Sequence, residues 1–285
     1  MSSQKTVVFV TGSTEGGIGG SICTEYAQNG AIVYAGVRKL EALGSLSEDK
    51  RIHPIIIDVT KEETIISAVK KIIDEVGQID ILVNNAGVNA AAGLAIQVPI
   101  EKYRQTFEVN YFGLIRVTQE VAIHMAKRNK GAIVNIGSVS GFIQSPLTAA
   151  YSNSKAAVHS LSDVLRVELA PLGIHVLCVA PGKIKSGFGK QALETATYPS
   201  PDSPFYGAKD AIRARANYSQ EGKSTPSSEL AKAIRSSLAT PAWRRRSYLT
   251  YGEQSTLIWL VSFFPPFLRD FLLTRRFKLN TIASK

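Results

Sequence analysis

The first two-thirds of the chain alternate short runs rich in Val, Ile and Leu with longer stretches of helical periodicity, and this alternation restricts the fold more than any other feature. Strand-like runs occupy Thr6–Thr11, Ala31–Val37, Ile52–Asp58, Ile79–Asn84, Ala132–Ile136 and Ile174–Ala180, with Ser247–Tyr251 as a weaker seventh. Several are almost continuously apolar, as in Ile79-Asp80-Ile81-Leu82-Val83, which is how a strand reads when both its faces are covered. Strands separated by helices of this length pair in parallel through crossovers. The expected architecture is therefore α/β, a doubly wound parallel sheet of about seven strands with helices on both faces. Lys61–Val76 places Ile65, Ile66, Val69, Ile72, Ile73 and Val76 on one stripe and predicts a core-facing helix. Ser227–Leu238 reads as the last core helix. From Gly187 to about Thr225 the rhythm lapses, and Pro199, Pro201 and Pro204 stand among Tyr, Phe, Ser and Gly. A long irregular stretch in a compact domain predicts a lid, here over 187–225. There is no internal repeat and no second glycine-rich strand–helix unit, so residues 1–255 read as one domain and 256–285 as a tail.

Charge narrows the partners. The net charge of +10 is concentrated late in the chain: residues 1–210 carry 20 Lys+Arg against 19 Asp+Glu, residues 211–285 carry 13 against 4. A nucleic-acid partner is not expected, because the basic excess avoids the region that carries the chemical motifs. Cys23 and Cys178 fall in a helix and a strand that read as buried, with no Cys-x-x-Cys pair or Cys/His cluster, so neither a disulfide framework nor a metal site is expected. His53, His124, His159 and His175 have no partners at metal or triad spacing and read as structural or exposed. Met1 to Lys5 is polar and runs straight into a strand. We expect no secretory signal and an intracellular location.

The first strand leads into Gly12-Ser13-Thr14-Glu15-Gly16-Gly17-Ile18-Gly19 and then a helix. Glycine there permits the sharp strand-to-helix turn and lets the backbone approach a pyrophosphate, whose charge meets the free N–H groups of the helix start. Ser13 and Thr14 offer hydroxyls to the same phosphate. At the end of the second strand a carboxylate would bind the 2′-hydroxyl of NAD. This chain instead has Gly36-Val37-Arg38-Lys39, and two cations without an acid favour the 2′-phosphate of NADPH/NADP+, Arg38 being able to grip it in a bidentate way.

Tyr151 and Lys155 lie one turn apart in the helical stretch Ala149–Leu169, on one face. An ammonium near a phenol favours the phenolate, and the expectation is that Lys155 draws the Tyr151 pKa toward the working pH. Thirteen residues before the tyrosine, the strand Ala132–Ile136 ends in Gly137-Ser138, a hydroxyl at the carboxyl edge of the sheet where open α/β folds bind ligands. Ser140 is nearby, but the spacing favours Ser138. Asn84-Asn85-Ala86-Gly87 ends the preceding strand at the same edge. Together with Thr11-Gly12, Asp58-Val59-Thr60, Val109-Asn110 and Pro181-Gly182, these strings resemble the short-chain dehydrogenase/reductase family in order and spacing over about residues 6–190. The resemblance implies a Rossmann-type fold and a homo-oligomer. It also implies a role for each matching residue. Tyr151 would exchange a proton with the carbonyl oxygen, Ser138 would polarise that oxygen, Lys155 would hold the nicotinamide ribose, and Asn110 would position a relay water. Gly12, Gly17, Ile18 and Gly19 would form the phosphate turn. Asp58 and Val59 would meet the adenine, and Asn84, Ala86 and Gly87 would shape the adenosine side. Pro181, Gly182, Ile184 and Ser186 would border the carboxamide. One departure stands out: four residues, Ser13 to Gly16, separate Thr-Gly from Gly-Ile-Gly where the family has three.

Thr256–Phe277 reads TLIWLVSFFPPFLRDFLLTRRF. Its uninterrupted apolar run, Leu257–Phe264 with Ser262, is too short to span a bilayer, which takes about 20 residues. Two readings stay open for the tail. Trp259, Phe263, Phe264 and Phe267 beside Arg275, Arg276 and Lys278 suit a membrane interface, with Arg244-Arg245-Arg246 adding basic surface. Alternatively the tail folds over the substrate pocket or into an oligomer interface. The Arg-Arg-Phe-Lys-Leu ending, the apolar tail and the glycine insertion resemble fungal NADPH-dependent 1-acyldihydroxyacetone-phosphate reductases. That implies a lipid ketone as substrate at an endoplasmic reticulum or lipid-droplet surface. The same scaffold also serves steroid, retinoid and secondary-metabolite ketones, and a non-catalytic NADPH-binding scaffold is the alternative from another class.

Overall fold

A computed structural model describes residues 5–218, 223–241 and 244–282. Residues 1–4, positions 219–222 of the lid stretch and 283–285 of the tail lie outside the described residues.

Seven strands form one parallel sheet: β1 (Val7–Thr11), β2 (Ile32–Val37), β3 (Ile52–Ile56), β4 (Ile81–Asn84), β5 (Gly131–Ile136), β6 (Ile174–Pro181) and β9 (Tyr248–Tyr251). Their spatial order is β3-β2-β1-β4-β5-β6-β9, and every pairing is parallel. The order reverses direction between β1 and β4, which opens a crevice at the carboxyl ends of those strands. Two short strands, β7 (Ile184–Lys185) and β8 (Thr225–Pro226), pair beyond the main sheet.

Burial of both sheet faces explains the near-continuous apolar runs. On one face α1 (Ile18–Gln28) and α8 (Ser227–Ala239) pack Ile22, Leu230 and Ile234 against Val8, Val10 and Val134. On the other, α2 (Glu62–Val76) and α4 (Gly113–Lys127) pack Ile65, Val69, Ile72, Val117 and Val121 against Phe9, Leu82 and Ile133. Ile66, expected on the buried stripe of α2, is 45% exposed. At 100° per residue it stands one step round the helix from Ile65, too far to share the same core contact.

Helix α3 (Ile100–Phe107) continues into α4 through a π-helical turn, Glu108–Phe112, and α5 spans Ala149–Leu169 as the sequence predicts. The stretch expected to be an irregular lid is irregular between two short helices. It contains α6 (Phe188–Glu194) and α7 (Lys209–Asn217), which join a third small core of Ala92, Leu147, Ala192, Ala208, Ile212 and Ala216. The tail forms α9 (Ser255–Val261) and α10 (Pro266–Arg276), separated at Pro265. No helix among the described residues is long and apolar enough to cross a membrane.

Candidate active site

The crevice between β1 and β4 widens into a cavity of about 1700 Å³, larger than the ~300–1,000 Å³ typical of a single drug-sized ligand and roomy enough for a dinucleotide with a second molecule. Gly12 turns the chain at its floor with φ +69°, and a Cβ there would stand 2.8 Å from the Ala86 Cα, so only glycine lets β1 and β4 close this tightly. The Thr11 hydroxyl accepts from the Asn85 and Ala86 N–H groups at 3.1 Å each, and the Asn85 amide donates to the Thr11 and Gly12 carbonyls. Glu15 reaches across to the 3₁₀ segment Leu40–Glu48, where its carboxylate accepts from the Ser45 N–H and hydroxyl.

Gly12, Thr14, Gly17, Ile18, Arg38, Lys39, Asp58, Val59, Ala86 and Gly87 all line the cavity. Burial would raise the Asp58 pKa, but the Thr60 N–H and hydroxyl together with Arg38 and Lys61 hold it below the ordinary value. Four expected residues do not line the cavity: Ser13, Asn84, Gly19 and, in the π-helical turn, Asn110. Ser13 is fully buried and its hydroxyl donates to the Val10 carbonyl at 2.9 Å, because its side chain turns into the core beside Cys23. Asn84 points under the sheet edge, where its amide donates to Thr118 Oγ1 and Asn135 Oδ1, both at 2.9 Å. Its neighbour Asn85 takes the place at the cavity wall. Gly19 also lies behind the wall. A Cβ there would come within 2.4 Å of the Gly12 carbonyl, so its work is close packing of helix on strand.

At the other end Ser138, Tyr151 and Lys155 line one wall, with Pro181, Gly182, Ile184 and Ser186 opposite the phosphate turn along the same cavity. Lys155 is 5% exposed; its Nζ donates to the Ile136 carbonyl at 2.7 Å and lies 5.8 Å from the centre of the Tyr151 ring. Burial lowers the Lys155 pKa to about 8. The Tyr151 pKa runs opposite to expectation. Enclosure raises it above the ordinary phenol value, against smaller lowering effects of a Ser138 hydrogen bond and the Arg215 charge. Asn110 is 1% exposed within the π-helical turn. It clamps the Val88 backbone, accepting from its N–H at 2.7 Å and donating to its carbonyl at 2.9 Å, and also donates to Ser154 Oγ. A π-turn widens the helix by one residue and frees it to aim a side chain, a common device at functional sites.

Three contributors were not foreseen. His159, two turns along α5 from Tyr151, is buried and its Nε2 accepts from the Ser138 N–H at 3.4 Å. Gly137 makes room for it, since a Cβ there would meet Nε2 at 2.4 Å. Phe188 of α6 packs its ring 5.3 Å from that of Tyr151. Arg215 of α7 donates to Ser145 Oγ at 2.9 Å and Thr148 Oγ1 at 3.3 Å, in the loop leading into the tyrosine helix. The tail closes this end: Leu257, Ile258, Val261, Leu272, Leu273, Arg276 and Phe277 line the cavity.

A parallel sheet with a glycine turn at its switch point, and a phenol, an ammonium and a hydroxyl gathered over the same crevice, defines an oxidoreductase that works on CH–OH and C=O groups with a nicotinamide cofactor. The chain belongs to the short chain dehydrogenase family, whose model matches residues 6–197. It is 32% identical over 287 residues to short-chain dehydrogenase RED1 of Pyricularia oryzae, covering 98% of this chain and 97% of that one. It is 33% identical over 205 residues to the NADPH-dependent 1-acyldihydroxyacetone phosphate reductase of Schizosaccharomyces pombe, covering 70% and 67%. Among solved structures, a short-chain dehydrogenase from Streptomyces avermitilis superposes with a TM-score of 0.79 at 30% identity, covering 97% of this chain and 96% of that one.

Proposed function

We propose that the protein is an NADPH-dependent reductase of hydrophobic ketones. The observation that carries this reading is the convergence of Ser138, Tyr151 and Lys155 on a cavity whose far end holds Arg38 and Lys39. The bound dinucleotide would supply or accept hydride at its nicotinamide, and every other requirement falls to this chain. Gly12 and Gly17 would leave room for the pyrophosphate, and the Arg38 guanidinium, near enough to Asp58 to hold its pKa down, would meet the 2′-phosphate at the end of β2, where the chain itself places no carboxylate. Tyr151, protonated at neutral pH as a phenol ordinarily is, gives its proton to the carbonyl oxygen. Ser138 accepts from the Ser140 N–H at 3.1 Å, which leaves its own proton to donate to that oxygen. Lys155, with N–H groups left beyond the one given to the Ile136 carbonyl, would hold the ribose and return a proton to the phenolate, regaining its own from solvent.

Tyr151→Phe should lower kcat by about 10²- to 10⁴-fold with NADPH binding retained. Retention of most turnover would remove the mechanism. Arg38→Asp should raise the KM for NADPH at least about ten-fold while sparing that for NADH; an unchanged preference for NADPH would withdraw the cofactor assignment.

The apolar residues of α9 and α10 over the cavity support a long-chain or polycyclic substrate. The name of the S. pombe relative supports a 1-acyldihydroxyacetone phosphate-like ketone, and steroid-, retinoid- or secondary-metabolite-type ketones are the competing class. A scaffold without turnover is disfavoured by the complete set of proton-handling groups. Exposed Phe112, Ile123, Val164 and Val167 around α4 and α5 support a homo-oligomer.

A further inference from the structure

The substrate end of the cavity is more cationic than hydride transfer to a ketone requires. Arg215 from α7 and Arg276 from the end of α10 both line it. They are packed on the same two rings: the Cζ atoms lie 5.6 and 4.8 Å from the centre of Tyr218, and 5.8 and 6.0 Å from that of Phe277. Arg215 is fixed further by its bonds to Ser145 and Thr148, which press the guanidinium against the segment that leads into Tyr151. Among the described residues, no carboxylate forms an ion pair with either arginine.

Holding two like charges together is unfavourable, and partial dehydration makes it more so. Burial and the nearby Arg276 both press the Arg215 pKa down, the net result being about 10, while Tyr151 and Tyr218 oppose them. Such an arrangement becomes favourable when a shared anion accepts from both guanidinium groups. Arg215 bonds the loop that leads into Tyr151 and lines the same cavity as its phenol, so an anion held there shares the cavity with the carbonyl. The apolar side chains of α9 and α10 begin beside it.

We propose that Arg215 and Arg276 form an anion subsite that selects ketones carrying a phosphate or carboxylate, with the apolar remainder of the substrate lying along α9 and α10. The proposal rests on the reductase reading for the carbonyl, but the subsite itself is testable as a binding site. The probe is octyl phosphate against 1-octanol, titrated into the NADP+-loaded protein. Octyl phosphate should bind at least about ten-fold more tightly, the worth of one charge-assisted contact of ~1.5 kcal/mol. Arg276→Leu and Arg215→Leu should each remove most of that preference, whereas Arg276→Lys should keep part of it. Equal binding of phosphate and alcohol, or a preference untouched in both leucine variants, overturns the subsite. Octyl phosphate should also compete with the ketone and not with NADPH. Binding without such competition would assign the arginines to a bilayer headgroup and likewise overturn the proposal. Failure of every ketone to consume NADPH sinks the reductase reading instead, and leaves the alkyl phosphate titration to stand or fall separately.

Discussion

His159 shows how a residue outside the reacting set controls one inside it. Its ring fills the space left by Gly137 and Gly141, packs 4.6 Å from Phe142 and accepts from the Ser138 N–H, so it fixes the backbone from which the Ser138 hydroxyl projects. Only a neutral imidazole can accept that bond. Burial, and secondarily the charge of Lys155, lowers its pKa from 6.5 to about 4, against the opposing pull of Asp163. The folded value lies below the unfolded one, so as pH falls the unfolded chain takes up this proton first. The stabilising effect is complete above about pH 6.5 and is lost as pH falls toward 4. Between pH 7 and 4.5 the loss from this residue is about 2–3 kcal/mol. Urea unfolding at the two pH values should show wild type losing about that much more stability than His159→Gln, which has no such titration. Parallel losses in both proteins would reject the neutral-imidazole account. Tyr151, Lys155 and Ser138 are legible in the sequence because their spacing is set by one helix and one strand end. His159 shares the tyrosine's helix face at twice the lysine's interval, but a buried histidine has no local signature, and Arg215 depends on a contact between α7 and the loop before α5 that no local pattern encodes. Ser13 and Asn84 were misplaced for a related reason: in a turn, neighbouring side chains point in opposite senses, and the string of letters does not say which.

At the scale of elements, the sheet and its covering helices were legible because each strand is buried on both faces and each helix carries one apolar stripe. All seven strands and the whole of α5 follow from that periodicity. The lid was not. α6 and α7 span 7 and 9 residues, too short for a stripe to stand out from Pro199, Pro201 and Pro204 between them. Isolated helices of this length are marginal in water, and these are held by their own small core with Leu147 and Ala92. The tail left two alternatives that the structure shows need not exclude each other. Its helices put Ile258, Val261, Leu273 and Phe277 on the cavity side and leave Phe263 71%, Phe267 73% and Phe271 54% exposed on the outside. A roof of this kind would exclude water from a carbonyl bound beneath it, and so strengthen the hydrogen bonds proposed for Ser138 and Tyr151.

Across the whole molecule, charge and apolar surface are gathered on one part of the chain. The first 210 residues are nearly neutral and the last 75 carry 13 Lys+Arg against 4 Asp+Glu. That quarter also bears the exposed rings of the tail, and we expect attraction to anionic headgroups and insertion of apolar groups to act together there. A globular protein seldom leaves several large rings open to water without a surface to receive them. Each term alone is weak: the electrostatic one is screened beyond about 10 Å at 0.1 M salt, and a few rings buried at an interface contribute only a few kcal/mol. Together they suit reversible peripheral binding. We therefore expect the full-length protein to float with vesicles containing phosphatidylserine and much less with pure phosphatidylcholine, the difference shrinking at about 0.5 M salt. Phe263→Ser combined with Phe267→Ser should abolish flotation while leaving the thermal melting temperature in place, because both rings are exposed. If the wild type fails to float at low salt, or the double variant floats as well as the wild type, the outer face of the tail serves something other than a bilayer. The roof over the cavity would then be the tail's whole contribution.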